Sequence, residues 1–205
     1  MSEFTVHDDA RRSRILEAAL IEFAAKGYKK ASTNTIVREA NVSKGLLFHY
    51  FISKKDLYVY IVESALESIT NELYAGINFA DRDVLERVHT AAIIKIESYV
   101  KHPLFSQLFE TVVDVEDEEI TARINQKQKQ VADESYAKLF TNIDYFLFRD
   151  RLNVERCLDV IRWTVDKLGN DWKKDHKDPT KPESFHDLQM FLEQYLGLFK
   201  AAFYR

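Results

Sequence analysis

Apolar residues recur at spacings of three and four along nearly the whole chain, which is the period of an α-helix. Only five glycines and three prolines punctuate its 205 residues. No strand pattern and no internal repeat stands out. The sequence therefore predicts an all-α protein, and its 46% hydrophobic content is enough for a sizeable core.

Three short helices are predicted at the start of the chain. Residues 11–26 place apolar side chains at helical spacing and end in a lysine followed by a glycine, a cationic last turn and a stop. Residues 33–40 predict a shorter helix capped by Ser32 or Thr33. Asn41 suits the turn that follows, because asparagine tolerates a left-handed backbone. This spacing fits a helix-turn-helix.

The third helix, residues 43–51, carries the most informative pattern. Ser43 can cap it, and its first turn can present free N–H groups to a phosphate. Gly45 costs roughly 1 kcal/mol against alanine inside a helix, so it suggests the close approach of another backbone, such as a sugar-phosphate strand. Leu47 and Phe51 lie four apart and can anchor the helix inward. The side chains on other faces are those of Lys44, Phe48 and His49, with Tyr50 near the boundary.

A set of residues in roughly the first 60 positions matches a known family at the family's spacing. They are Ile15-Leu16-Glu17-Ala18-Ala19, Phe23, Gly27-Tyr28, Ile36, Ala40-Asn41-Val42-Ser43-Lys44-Gly45, Leu47, His49-Tyr50-Phe51 and Ser53-Lys54. Through them the chain resembles the tetracycline-repressor (TetR) family of bacterial transcription regulators. The resemblance implies a three-helix helix-turn-helix DNA-binding domain over residues 1–52 and a larger helical effector-binding and dimerisation domain over residues 53–205.

The resemblance also implies roles for individual residues toward double-stranded DNA. Contacts with the phosphate backbone are expected from Thr33, Ser43, Tyr50 and Lys54, and contacts at or near base edges from Lys44, Gly45 and His49. Phe48 stands where the family usually has tyrosine, and Leu46 where it often has a small polar residue. Both fit contact with thymine methyl groups and fit packing within a small domain equally well. Phe48 is kept among the candidate DNA-binding residues.

The charge distribution agrees with DNA binding by the first part of the chain. Residues 1–60 carry a net charge of +3, whereas residues 61–205 carry −7. From residue 43 to residue 55 there are three lysines and no acid. Such a surface can displace counterions from DNA, and the acidic remainder keeps the rest of the molecule away from the duplex.

Further helices are expected in the second part of the chain. Their ranges are 53–76, 83–101, 103–113, from the acidic run 114–119 to about 140, 154–172 and 184–203. In the resembled family, the first of these transmits ligand binding to the DNA-binding heads. A charged loop with Pro179 and Pro182 separates the last two helices and favours an antiparallel pair.

The last helix has two apolar stripes, so it must be covered on two sides. One stripe is Leu188, Leu192, Tyr195, Phe199 and Phe203, and the other is Phe191, Leu198 and Ala202. A second copy of the chain can cover one side, in a four-helix interface that also contains Val154, Leu158, Ile161, Val165 and Leu168. The sequence thus predicts a homodimer, and two-fold symmetry implies a palindromic operator.

Aromatic residues are frequent in the middle of the chain, as in a pocket for an apolar or aromatic effector. The candidate effector-binding residues are Phe105, Phe109, Tyr136, Phe140 and Trp163. The same side chains would also form an ordinary core. The effector's identity does not follow from them.

Other classes of function are disfavoured. The chain has no glycine-rich phosphate loop and no metal-spaced His/Cys group, so we expect neither an enzyme nor a cofactor or metal. The single Cys157 falls on the apolar stripe of its helix, which favours a buried thiol. Neither a signal peptide nor a membrane-spanning segment is recognisable, so we expect no membrane partner and a cytoplasmic protein.

The function expected is that of a ligand-responsive repressor that binds its operator as a dimer and is released by a small apolar or aromatic effector. Two alternatives stay open at this point. The chain could be a helical sensor or protein-interaction module that has lost specific DNA binding, or it could be an activator, because repression depends on where the operator lies.

Overall fold

The computed structural model describes residues 3–175 and 182–205, with side chains over 10–172 and 186–205. Within these ranges the chain forms nine α-helices, one short 3-10 helix and no strand. The helices are α1 (Glu3–Lys30), α2 (Thr33–Glu39), α3 (Lys44–Tyr50), α4 (Lys54–Gly76), α5 (Val84–Lys101), α6 (Pro103–Val112), α7 (Glu118–Leu139), α8 (Val154–Asp175) and α9 (Pro182–Phe203), with the 3-10 helix at Tyr145–Leu147. The all-α fold is confirmed. No helix among the described residues is long and apolar enough to cross a membrane.

Packing divides the chain into two compact units. The first unit comprises Met1–Ser68 and His102–Gln130, and the second comprises Ile69–Lys101 and Val131–Arg205. Helix α6 and the first part of α7 thus pack with α1–α3, although they follow in sequence much later. The division into functional domains at residue 52 stays a prediction, and the charged loop at residues 176–181 lies outside the described residues.

The first unit is built around fully buried side chains of α1 to α4. Phe23 and Tyr58 are both inaccessible to solvent, and their rings meet edge to face with centroids 5.0 Å apart. The Tyr58 hydroxyl lies 3.1 Å from the Thr111 hydroxyl of α6, so the buried phenol keeps a polar partner. Burial raises the pKa of Tyr58 above its ordinary value. This hydrogen bond helps to fix α6 on the core of the first unit.

The first helical segment ends at Gly27, as the sequence predicted. Gly27 has φ 66°, a left-handed conformation open to glycine, but helical turns continue beyond it to Lys30. Two helical segments therefore meet at a kink, because one left-handed residue bends the helix and the next residues resume helical hydrogen bonding, as in Ala31 N–H to Gly27 O at 3.2 Å.

The core of the second unit is formed mainly by α5, α8 and α9. Its buried residues are Val84, Leu85, Val88, Ile143, Phe148, Cys157, Leu158, Ile161, Leu192, Leu196, Phe199 and Tyr204. The thiol of Cys157 is buried as predicted, and burial raises its pKa. The isolated β-bridge between Phe148 and Tyr204, next to the 3-10 helix, was not predicted, because it depends on contact between segments more than 50 residues apart.

Helix α8 turns into the core of its own unit part of the apolar stripe that was expected at a dimer interface. Leu158 and Ile161 are buried in the core of their own unit, and Val154, Val165 and Leu168 pack against that core. The expectation that Leu158 and Ile161 join a second subunit was wrong, since helical periodicity identifies an apolar stripe but not its partner. Val154, Val165 and Leu168 stay partly exposed, and their contact with a second subunit stays a prediction. The apolar residues of α8 that remain exposed are Val160 and Trp163.

A buried arginine joins three segments of the second unit. Arg87 is only 2% exposed. Its guanidinium donates to the backbone oxygens of Phe79, Asp81, Leu139 and Thr141 at 2.5–2.9 Å. The cation therefore satisfies carbonyls at the end of α7 and in the loop before α5, where helical hydrogen bonding leaves oxygens without donors.

Candidate nucleic-acid interface

The turn between α2 and α3 has the geometry of a Schellman C-cap. Asn41 has φ 52°, the left-handed conformation predicted for it. Its N–H donates to Arg38 O at 3.1 Å, and the Val42 N–H donates to Val37 O at 3.0 Å. These two bonds satisfy the last carbonyls of α2 and set the direction in which α3 leaves.

Both short helices begin at a serine cap. The Ser32 hydroxyl accepts from the Thr35 N–H at 3.4 Å, and the Ser43 hydroxyl accepts from the Leu46 N–H at 3.2 Å. Of the two caps proposed for α2, Ser32 is the one used. Thr33 is the first residue of α2 and half-buried.

Helix α3 has one face in the core and one in solvent. Leu47 and Phe51 are 1% and 5% exposed, as the pattern predicted. The exposed residues of α3 are Lys44, Gly45, Phe48 and His49. Tyr50 is half-buried, and its ring lies edge to face with that of His49 at 5.7 Å. The structure therefore brings four of the eight candidate DNA-binding residues to one accessible surface of a short helix.

Gly45 is not required by the fold. It lies in the first turn of α3, and a Cβ added there would meet only the Ser43 hydroxyl, at 3.9 Å. Alanine would fit this space and favour the helix. No contact with the part of the chain that the structure describes therefore explains the glycine.

Lys54 has partners within its own unit. Its ammonium donates to Lys29 O at 3.3 Å and lies 4.9 Å from the centre of the Tyr28 ring. Desolvation lowers the pKa of Lys54. Its contact with a phosphate stays a prediction. In such a contact the ammonium would either keep its hydrogen bond to the end of α1 and use another N–H donor, or give up that hydrogen bond.

The structure adds a residue that sequence reasoning missed. Lys44 Nζ donates to Asn34 Oδ1 at 3.1 Å, so a side chain of α2 holds the first side chain of α3. Both residues are exposed. No local pattern indicates this contact, because ten positions separate the two residues and only the turn geometry brings them together.

A buried carboxylate braces the start of α2. Glu22 is 6% exposed, and it accepts from Lys26 Nζ at 2.9 Å and from the Ser32 N–H at 2.9 Å. Burial acts to raise the pKa of Glu22, but the hydrogen bonds from Lys26 and Ser32 outweigh it, and the pKa lies below the ordinary value. Glu22 therefore links α1 to Ser32, the N-cap residue of α2, by a hydrogen bond.

The acidic run before α7 contacts a lysine of α4 within the same unit. Asp117 caps α7 by accepting from the N–H groups of Glu119 and Ile120, and a carboxylate is favourable at this positive end of a helix. Asp117 and Glu119 also pair with Lys55 at 3.0 and 2.7 Å. Hydrogen bonds from Lys55 lower the pKa of Asp117. The ion pairs were not foreseen, since they join residues about 60 positions apart.

The candidate effector residues do not form one group. Phe105 and Phe109 pack against the core of the first unit, whereas Tyr136 and Phe140 belong to a small cluster of the second. Trp163 is 62% exposed. The Tyr136 hydroxyl donates to Asp166 at 2.8 Å. Their role toward an effector stays a prediction.

A cleft of about 360 Å³ in the second unit is lined by none of these five residues. Its lining is Glu72, Ala75, Gly76, Ile94, Glu97, Ser98 and Lys101, from the end of α4 and from α5. Among the described residues no group of His, Cys, Asp and Glu has the arrangement of a metal site.

The helix-turn-helix matches a family of known regulators. The model for bacterial regulatory proteins of the tetR family matches residues 15–61. The HTH-type transcriptional regulator YfiR of Bacillus subtilis (strain 168) is 26% identical over 133 residues, which cover 63% of this chain and 60% of that protein. The HTH-type transcriptional repressor KstR of Rhodococcus jostii is 27% identical over 151 residues, covering 74% of this chain and 68% of KstR.

Structural similarity extends over nearly the whole chain. The crystal structure of the transcriptional regulator FadR from Bacillus subtilis in complex with stearoyl-CoA superimposes with a TM-score of 0.64 at 16% identity, covering 92% of this chain and 97% of FadR. At that identity the match establishes the fold. The relatives are transcriptional regulators, in agreement with the prediction that the chain is not an enzyme.

Proposed function

Because the chain belongs to the tetR family of bacterial regulatory proteins, we propose that it is a sequence-specific DNA-binding transcriptional regulator that binds a palindromic operator as a dimer. One observation carries the proposal: Lys44, Gly45, Phe48 and His49 share the exposed surface of a capped helix that Leu47 and Phe51 anchor in the core. A cation, a first-turn position without a side chain at Gly45, and hydrogen-bonding and apolar groups are suited to the major groove.

The test is selection of sequences from a random duplex pool by the purified protein at near-physiological salt. An enriched inverted repeat is expected. Lys44→Ala should weaken binding to the selected duplex about tenfold, and Tyr50→Phe, which keeps the half-buried ring and removes the hydroxyl, should weaken it several-fold. Lys95→Ala, an exposed lysine of α5, is the control and should bind as the parent does. Absence of any enriched sequence contradicts the proposal.

Homodimerisation is proposed through the exposed apolar face of α8 and α9. That face consists of Val160, Trp163, Met190, Phe191, Tyr195 and Leu198, each between 38% and 62% exposed. Six large apolar side chains exposed on two helices that pack together exceed what a monomer usually leaves in water. A second copy presenting the same face can bury them around a two-fold axis.

The dimer is tested by one charge in that face. Leu198 is 62% exposed, and Leu198→Glu should give a monomer by sedimentation at micromolar concentration and lose operator binding. Val113→Glu is the matched control, because Val113 is 87% exposed and lies outside that face. A parent protein that sediments as a monomer contradicts the proposed interface.

Repression relieved by a small apolar or aromatic effector is the proposed mode of regulation. Two similarities support it, the transcriptional repressor KstR and the FadR complex with stearoyl-CoA. Long-chain acyl-CoA and small aromatic acids are the probes to titrate into the protein bound to its selected duplex. Release by one class, with a coupling of about 5- to 150-fold, supports the proposal, and tighter DNA binding in the presence of the probe contradicts it.

A further inference from the structure

A side chain outside the recognition helix accepts a hydrogen bond from Lys44. Asn34 is the second residue of α2, Lys44 is the first residue of α3, and Lys44 Nζ donates to Asn34 Oδ1 at 3.1 Å. Both side chains are exposed on the helix-turn-helix, so the hydrogen bond lies at the surface that is proposed to face the duplex.

We propose that Asn34 is a specificity-determining residue that recognises operator bases together with Lys44. This inference rests on the proposed function. Asn34 holds the ammonium at one place above the groove, and the amide contributes its own N–H donors beside it.

The chemistry of the two groups supports a joint role. An ammonium has three donors, and one of them is used by Asn34 Oδ1, which leaves two for acceptors on the DNA. The Asn34 amide accepts through oxygen and keeps two N–H donors on its nitrogen. The pair therefore presents several donors side by side, and paired acceptors such as O6 and N7 of guanine are their natural partners in the major groove.

The flexibility of lysine gives the hydrogen bond its importance. Lysine carries a compact charge on a four-carbon stem with many rotamers, so an unrestrained Lys44 would attract phosphates and bases over a wide area. Such a charge raises affinity for any duplex and discriminates poorly between sequences. A lysine whose ammonium is held in one position by a hydrogen bond contributes instead to discrimination between base sequences.

The backbone that carries the pair is well fixed. The Schellman turn at Asn41 sets the angle between α2 and α3, and Ile36 and Leu47, both at most 1% exposed, anchor the two helices in one core. The Ser32 cap and its bond to Glu22 fix the first turn of α2, where Asn34 lies. The fold therefore fixes the separation of the two backbone positions from which these side chains extend.

The first experiment is a double-mutant cycle on the duplex selected by the parent protein, with every single-base variant of one half-site. Asn34→Ala should weaken binding about three- to tenfold and flatten the preference at the same base pairs as Lys44→Ala. The double variant should bind more tightly than the product of the two single effects predicts, because part of the effect of each residue depends on the other. Asn71→Ala, an exposed asparagine of α4, is the control and should match the parent.

The second experiment tests the contact without DNA. Partial modification of the lysines by an amine-selective reagent, followed by mass spectrometry, should show Lys44 reacting faster in Asn34→Ala than in the parent, with other lysines unchanged. An equal rate, an unchanged base preference in Asn34→Ala, or effects that multiply in the double variant overturns the inference while leaving the proposed function intact. Failure of the parent to select any sequence overturns both.

Discussion

Gly45→Ala separates what the fold needs from what a DNA partner needs. The residue lies in the first turn of α3, is exposed, and would place its new Cβ 3.9 Å from the nearest atom, the Ser43 hydroxyl. That distance is ordinary van der Waals contact. Alanine is favoured over glycine in a helix by roughly 0.5–1 kcal/mol, so the free energy of unfolding should rise by about that amount.

Operator affinity should change in the opposite direction. If a sugar-phosphate strand approaches the glycine closely, the added methyl group must displace it or α3. Overpacking of a close contact costs about 1–3 kcal/mol, which corresponds to roughly 5- to 150-fold weaker binding. The substitution should therefore yield a more stable protein that binds its operator less well.

Two measurements on the same preparation test this expectation. Urea unfolding gives the change in stability, and fluorescence anisotropy with the selected duplex gives the dissociation constant. Gly169→Ala in α8 is the matched control, since no atom of the described residues lies within 4 Å of its added Cβ, and it should gain stability without loss of affinity. Unchanged or tighter operator binding by Gly45→Ala refutes the close approach of DNA to this turn.

Two further substitutions test interactions within the units. Arg87→Met should lower the free energy of unfolding, measured in urea, by at least about 3 kcal/mol. The substitution removes the donor of four backbone carbonyls, and leaving only two of them unpaired costs roughly 1.5 kcal/mol each. Arg156→Met, at an exposed arginine, is the control and should change the free energy of unfolding little. Because the pKa of Glu22 is lowered in the folded protein, its ionised carboxylate contributes fully to stability above pH 4.5, the ordinary glutamate pKa. This contribution to the free energy of unfolding is lost as the pH falls through the lower pKa of the folded state. In Glu22→Gln, the free energy of unfolding should therefore fall less steeply with decreasing pH, between about pH 6 and 3, than in the parent protein. A fall as steep as that of the parent would contradict the role of this carboxylate.

The helix-turn-helix could be predicted because its signals are local. A serine cap, an asparagine suited to a left-handed turn and apolar residues four apart each act within one or two helical turns. The structure accordingly places Ser43, Asn41 and Leu47 as the pattern predicted. The short helical segment after Gly27 was not predicted, because a glycine at φ 66° permits either a stop or a kink, and only packing selects between them.

The contacts around the candidate site were beyond local reasoning. Asn34 meets Lys44 across a turn, and Lys55 meets Asp117 across about 60 residues of chain. Periodicity also assigned Leu158 to a second subunit, although it packs in its own unit. An apolar stripe must be covered, but the stripe does not specify by which neighbour.

By itself, the sequence determined the all-α class, the position of the recognition helix and its inward and outward faces, because these follow from the helical period and from chemistry within a few residues. Only the tertiary structure decided which side chains are tethered, which charges are paired and which apolar face of α8 and α9 remains open. Those properties depend on distances between residues far apart in the chain, and such distances are set when the helices pack.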